Sequence, residues 1–140
     1  MKTKVRNIKF IAIHCTGTPV NQSIESIKEY WKKTLGWAAP GYHWIIKSGG
    51  ERVQLIPEEM ISNGVKGYNH EIINVAYVGG LVTKDHYADT RTYNQKLSMI
   101  ILLRELKGRY PDAVIKGHYQ FPDVHKACPC FDALSEYNDL

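Results

Sequence analysis

Nine residues near the start of the chain, NIKFIAIHC (Asn7 to Cys15), place the strongest limit on its fold. A strand alternates its side chains between two faces. Ile8, Phe10, Ala12 and His14 fall on one face, and Ile11, Ile13 and Cys15 on the other, with Lys9 at the entrance. Apolar side chains on both faces describe a central strand covered on both sides, as in sheets that carry helices on each face. The TGTP cluster that follows (Thr16 to Pro19) breaks the strand. His14 therefore stands at the C-terminal edge of a buried strand.

The order of the remaining elements is consistent with that core. Ser23 caps a helix with Ile24, Ile27, Tyr30 and Trp31 at helical spacing, and Gly36 stops it. YHWIIK (Tyr42 to Lys47) is a second strand, turned by Ser48, Gly49 and Gly50 into an antiparallel strand over Glu51 to Leu55. INVAYV (Ile73 to Val78) is the next strand, and Leu81 to Arg91 reads as a polar connection. Thr92 and Gln95 form a capping box. The helix behind them runs to about Tyr110, with Leu97, Ile100, Ile101, Leu103 and Leu106 as its apolar stripe. Ala113 to Lys116 is a short strand, and Phe131 to Tyr137 a short helix. The expectation is an α/β fold, a central mixed β-sheet flanked by helices, in one domain over residues 1–140.

Charge and composition remove several function classes. No apolar run reaches the roughly 20 residues a membrane-spanning helix needs, so no membrane insertion is expected. The N-terminal residues lack a small-residue cleavage pattern, so no signal peptide is expected and the chain is placed in the cytoplasm on synthesis. The net charge of +4 favours an anionic polymer, yet the basic residues are scattered without any nucleic-acid-binding motif. No nucleic-acid partner is expected, and the chain is expected to be a monomer.

Chemistry concentrates in KGHYQFPDVHKACPCFD (Lys116 to Asp132). His118, like His14, follows an apolar strand and precedes a turn, and neighbouring strand ends converge in a sheet. Cys128 lies ten residues further on, in a loop long enough to fold back. Two imidazoles and a thiolate suit one zinc ion, and three protein ligands leave its fourth position open, the catalytic arrangement. From the residues alone a closed structural site, completed by His125 and Cys130, is the alternative. Cys15, Cys128 and Cys130 are an odd set and no disulfide framework; Cys15 reads as a core thiol.

The segments IAIHCTGTP, GYHWIIKSGG, GVKGYNHEIINVAYVGG and KACPCFD, in that order, resemble the zinc-dependent N-acetylmuramoyl-L-alanine amidases of type 2, which include phage amidase lysozymes and peptidoglycan-recognition proteins. The resemblance runs from about Lys9 to Asp132. It implies zinc ligands at His14, His118 and Cys128, a catalytic tyrosine at Tyr42 and a catalytic lysine at Lys126. It implies as substrate the amide between N-acetylmuramic acid and L-alanine in peptidoglycan, reached after release by another route. Lys126 is then the expected stabiliser of an oxyanion, and Tyr42 a hydrogen-bonding partner of the reacting groups. Trp37, Tyr68, Asn69 and Tyr119 are expected to line a glycopeptide groove. Two departures stand out: Tyr119 and Gln120 replace the arginine and aspartate that many members carry, and Asn63 and Gly64 stand where phage-type relatives tend to have a histidine. A binding-only relative without cleavage is the alternative, and loss of the ligand cysteine is its usual sign; Cys128 is present.

Overall fold

The structure, a computed structural model, describes residues 6–140. The first five residues, on which the signal-peptide expectation partly rests, lie outside the described residues. The NIKFIAIHC segment forms β1 (Phe10–Cys15), and its last five residues are buried. It pairs in parallel with β4 (Ile72–Tyr77) on one side and β7 (Val114–Gly117) on the other. β2 (Trp44–Ile46) pairs in parallel with β4 and antiparallel with β3 (Arg52–Gln54), giving the order β3-β2-β4-β1-β7. The expected mixed sheet is present, with β1 next to its centre.

The two faces of β1 pack as its alternation requires. Ile11, Ile13 and Cys15 join Val75 and Tyr77 beneath α2 (Tyr93–Arg109). Ala12 and Phe10 pack with Ile72, Val65 and Phe121 on the opposite face. That face also carries α1 (Ile24–Glu29), whose Ile27 lies over Ile45 and Ala76 together with Trp31. Ser23 caps α1 by accepting from the Ser26 amide at 3.2 Å. The helix continues as a wider turn over Tyr30–Thr34, and the backbone then reverses at Gly36 with φ +70°.

Two expectations need correction. The buried stripe of α2 is Gln95, Met99, Leu102, Leu103 and Leu106, while Leu97 is 45% and Ile101 58% exposed. Apolar residues surround this helix, so spacing alone leaves its rotation open. A polar residue sets it: Gln95 donates to the carbonyls of Ile46 and Val78 at 3.1 and 3.0 Å. Its side-chain oxygen closes the capping box with Thr92. The second correction is the 81–91 connection, which contains a small ribbon, β5 (Leu81–Thr83) and β6 (His86–Tyr87), turning at Asp85 with φ 59°. α3 (Ala133–Glu136) closes the described fold. No helix of the described residues is long and apolar enough to cross a membrane.

Candidate metal centre and its cleft

Strand register brings the two candidate histidines together. Ile13 of β1 pairs with Gly117, the last residue of β7, so His14 near the end of β1 and His118 in the short turn directly after β7 are the next residues along two parallel neighbours. Their ring centroids are 4.8 Å apart. Cys128 is folded back over this edge by main-chain anchors. The Tyr119 amide donates to the Cys128 carbonyl at 3.0 Å, and the Tyr77 hydroxyl to the Pro129 carbonyl at 2.6 Å. Pro129 packs against Gly117 so closely that a Cβ there would lie 2.6 Å from its ring. The Cys15 amide points at the Cys128 sulfur, 3.1 Å away.

The coordinating atoms of His14, His118 and Cys128 lie within 4.8 Å of one another, and Cys128 Sγ is 3.9 Å from His14 Nδ1. Tetrahedral coordination at zinc-like bond lengths places such atoms about 3.3–3.6 Å apart, so the widest pair would close by roughly an ångström around an ion. Among the described residues no other group of three histidines, cysteines or acids is placed to hold a metal. His125 and Cys130 do not join the group. His125 is exposed, and the Cys130 sulfur lies 4.0 Å from that of Cys15. The closed four-ligand alternative therefore lacks its two extra ligands.

A buried polar chain behind His14 fixes which nitrogen faces the site. The Asn74 amide N–H reaches His43 Nδ1 at 3.0 Å, so that nitrogen is an acceptor and His43 Nε2–H donates to the Met60 carbonyl at 2.8 Å. The Ser62 hydroxyl then donates to His43 Nδ1 at 3.0 Å and accepts from Asn74 Nδ2 at 2.8 Å. Asn74 Oδ1 is left to accept from His14 Nε2–H at 2.7 Å. His14 therefore presents its Nδ1 lone pair. Any Cβ at Gly64 would collide with the Asn74 amide, so glycine there makes room for this orienting group. Burial lowers the His14 pKa to about 4, against the Asn74 hydrogen bond and with help from the Lys126 charge. Burial, His14 and Lys126 lower that of His118 to about 3. Both rings are neutral at neutral pH, the form a metal takes.

The other candidates fall around this centre. The Tyr42 ring is 5.0 Å from that of His14, and its hydroxyl donates to the Cys15 carbonyl at 3.3 Å. Burial first, then Cys128 and Cys15, hold its pKa well above the usual tyrosine value, so it stays a proton donor. Lys126 is exposed at the junction of two cavities, of about 540 and 800 Å³, that also share His118 and Trp37. Tyr68 and Asn69 line the larger cavity. Tyr119 lines neither; its backbone anchors the Cys128 loop instead. Sequence reasoning missed Asn74, His43 and Ser62. Asn74 was detectable as the one amide inside the apolar run INVAYV, and His43 as a buried neighbour of Tyr42.

An open soft ligand set at the C-terminal edge of a mainly parallel sheet, facing a cleft, could hold a metal ion with one position free, an arrangement that suits a metal-assisted hydrolase. A family model described as N-acetylmuramoyl-L-alanine amidase matches residues 4–131, and the chain belongs to that family. It is 34% identical over 132 residues to the endolysin of Enterobacteria phage K11, covering 93% of this chain and 85% of that one. Among solved structures, the endolysin of a Thermus scotoductus bacteriophage superposes with a TM-score of 0.77 at 25% identity, covering 91% and 80% of the two chains. The peptidoglycan recognition protein SA of Drosophila shares the fold, with a TM-score of 0.77 at 17% identity over 99% and 82%. The catalytic reading stands ahead of the binding-only one, because the phage relatives are endolysins and the His–His–Cys group is complete.

Proposed function

We propose that the protein hydrolyses the amide between N-acetylmuramic acid and L-alanine in peptidoglycan, using one zinc ion held by His14 Nδ1, His118 and Cys128. The convergence of these three side chains on an open position, within an amidase family, carries this reading. A zinc ion held there supplies an acidified water, with a pKa of about 7 in the best cases, and an electrophilic pull on the amide carbonyl. The protein's own groups do the rest. Asn74 holds His14 in the tautomer that leaves Nδ1 free. Tyr42, kept protonated, turns its hydroxyl from the Cys15 carbonyl to a developing oxyanion, and Lys126 balances that charge from the cleft mouth. Trp37, Tyr68 and Asn69 contact the glycopeptide along the larger cavity, whereas Tyr119 acts through the Cys128 loop.

Every part of this site comes from one copy of the chain, which supports action as a monomer and one catalytic domain. The wall is reached by a route that another protein opens. The test is release of peptide with a new L-alanine amino terminus from purified peptidoglycan, comparing chelated protein with the same sample given stoichiometric zinc. Activity that is lost and then restored supports the reading. Folded, zinc-loaded protein that releases nothing overturns it and favours recognition without cleavage.

A further inference from the structure

Three free thiols meet where β1 ends. Cys15, Cys128 and Cys130 all line the smaller cavity, but they are not equivalent. The Cys128 sulfur accepts from the Cys15 amide at 3.1 Å and lies 3.9 Å from His14 Nδ1, so it belongs to the ligand group. Cys15 projects from the other face of β1, and its sulfur is 4.0 Å from that of Cys130. Cys130 holds φ +73°, a left-handed conformation that suits glycine or asparagine better than cysteine. Its amide donates to the Ala127 carbonyl at 2.6 Å, which fixes the turn. Gly80 leaves room beside the pair: a Cβ there would fall 2.6 Å from the Cys15 sulfur. An S–S bond measures about 2.05 Å, so the two sulfurs close by about 2 Å, a step within reach of side-chain rotation.

Resting on the amidase reading, which places the substrate beyond the reducing cytoplasm and the ion on Cys128, we infer that Cys15 and Cys130 are a dithiol site that closes to a disulfide in an oxidising compartment and thereby retains the metal. Cys15 follows His14 and Cys130 is two residues from Cys128, so the bond joins the two segments that carry those ligands. The oxidant is a disulfide of that compartment, from a small thiol or a protein. One cysteine thiolate attacks it, releasing one thiol and leaving a mixed disulfide, and the second cysteine thiolate displaces the other thiol. Two protons and two electrons pass from the cysteines to the oxidant, whose S–S bond breaks as the new one forms. Burial pushes the Cys130 thiol up to about 12, and contact with Cys128, then burial, raises that of Cys15. Exchange is therefore slow, and the pair is best followed at equilibrium.

The test holds zinc-loaded protein in glutathione buffers, from excess reduced to excess oxidised, until the composition stops changing, and then traps free thiols with an alkylating reagent. Peptide mapping is expected to show Cys15 joined to Cys130 in the oxidised buffer, with Cys128 outside the bond. Zinc release to a chromophoric chelator then slows roughly tenfold, the lower end of what supporting contacts contribute to holding a metal, and recovers with reductant. Cys130→Ser binds zinc as the reduced protein does and its release rate does not respond to the buffer. A bond that includes Cys128, a lasting mixed disulfide with glutathione, or thiols that stay free overturns the dithiol site while the amidase reading stands. A Cys15–Cys130 bond that leaves zinc release unchanged overturns the retention role. Protein that takes up no zinc overturns the amidase reading, and mapping of the metal-free chain still decides whether Cys15 pairs with Cys130.

Discussion

Asn74 Oδ1 accepts the Nε2 proton of His14 at 2.7 Å, in a position sealed from solvent and held from behind by Ser62 and His43. Replacing Asn74 by alanine removes the acceptor of His14 Nε2–H and leaves that ring free to change tautomer, while the Ser62 hydroxyl keeps its bond to His43 Nδ1. Zinc affinity, measured by competition with a chromophoric chelator, is expected to fall about 10- to 100-fold. Gly64→Ala displaces the same amide and should weaken zinc in the same direction. Affinity unchanged from the unaltered protein in both variants would show that the orienting bond contributes nothing.

Tyr42→Phe keeps the ring against His14 and Trp31 but removes the hydroxyl. Zinc stoichiometry should be unchanged while kcat falls about 100-fold, the usual loss for one donor to an oxyanion. Lys126→Ala should likewise retain zinc and lose turnover. Normal turnover in either variant would remove that side chain from the mechanism.

Acid should destabilise the metal-free protein before its carboxylates titrate. Burial, chiefly, lowers the His43 pKa to about 4 from an ordinary value near 6.5. The unfolded chain therefore takes up a proton first as pH falls. This contribution to stability is whole above about pH 6.5, erodes between there and about 4, and is level below. For a fully buried ring it is on the order of 3 kcal/mol. His14 and His118 add losses of the same sign. Urea unfolding of the chelated protein at stepped pH measures the slope, and a flat profile from 6.5 to 4.5 would contradict the burial argument.

Glu58 accepts from Trp44 Nε1, Arg109 and the Tyr110 hydroxyl, at 2.9, 2.6 and 2.8 Å. These bonds outweigh its burial and hold its pKa below the usual carboxylate value. Its contribution is therefore present above the ordinary glutamate range and lost as pH falls through the lowered value. Glu58→Ala strands the Trp44 and Tyr110 donors and should cost about 2 kcal/mol in urea unfolding, with zinc affinity unaltered.

The core strand and the convergence of His14, His118 and Cys128 were legible because alternation in NIKFIAIHC fixes a buried strand, because both histidines follow apolar strands, and because Cys128 lies in a loop long enough to fold back. The rotation of α2 was not, since Leu97 and Ile101 are as apolar as the residues that do face the sheet. It is decided by two carbonyls, of Ile46 and Val78, that Gln95 satisfies. The relay from His43 to His14 was equally hidden. Its members lie on β4 and in the loops around β2, and only pairing brings them together. Tyr119 was expected in the groove as one of the aromatic loop residues around the site; it lines neither cavity, and its backbone amide holds the Cys128 carbonyl.

The β1–β7 register has a consequence for how the centre assembles. His14 and His118 inherit their spacing from hydrogen-bonded strands, so most of the ordering entropy of those two ligands is already met by folding of the sheet. Cys128 is the ligand delivered by a loop. Capture and release of the ion should then track the opening rate of the segment from Pro122 to Cys130, with the two imidazoles as a standing cradle and the thiolate as its latch.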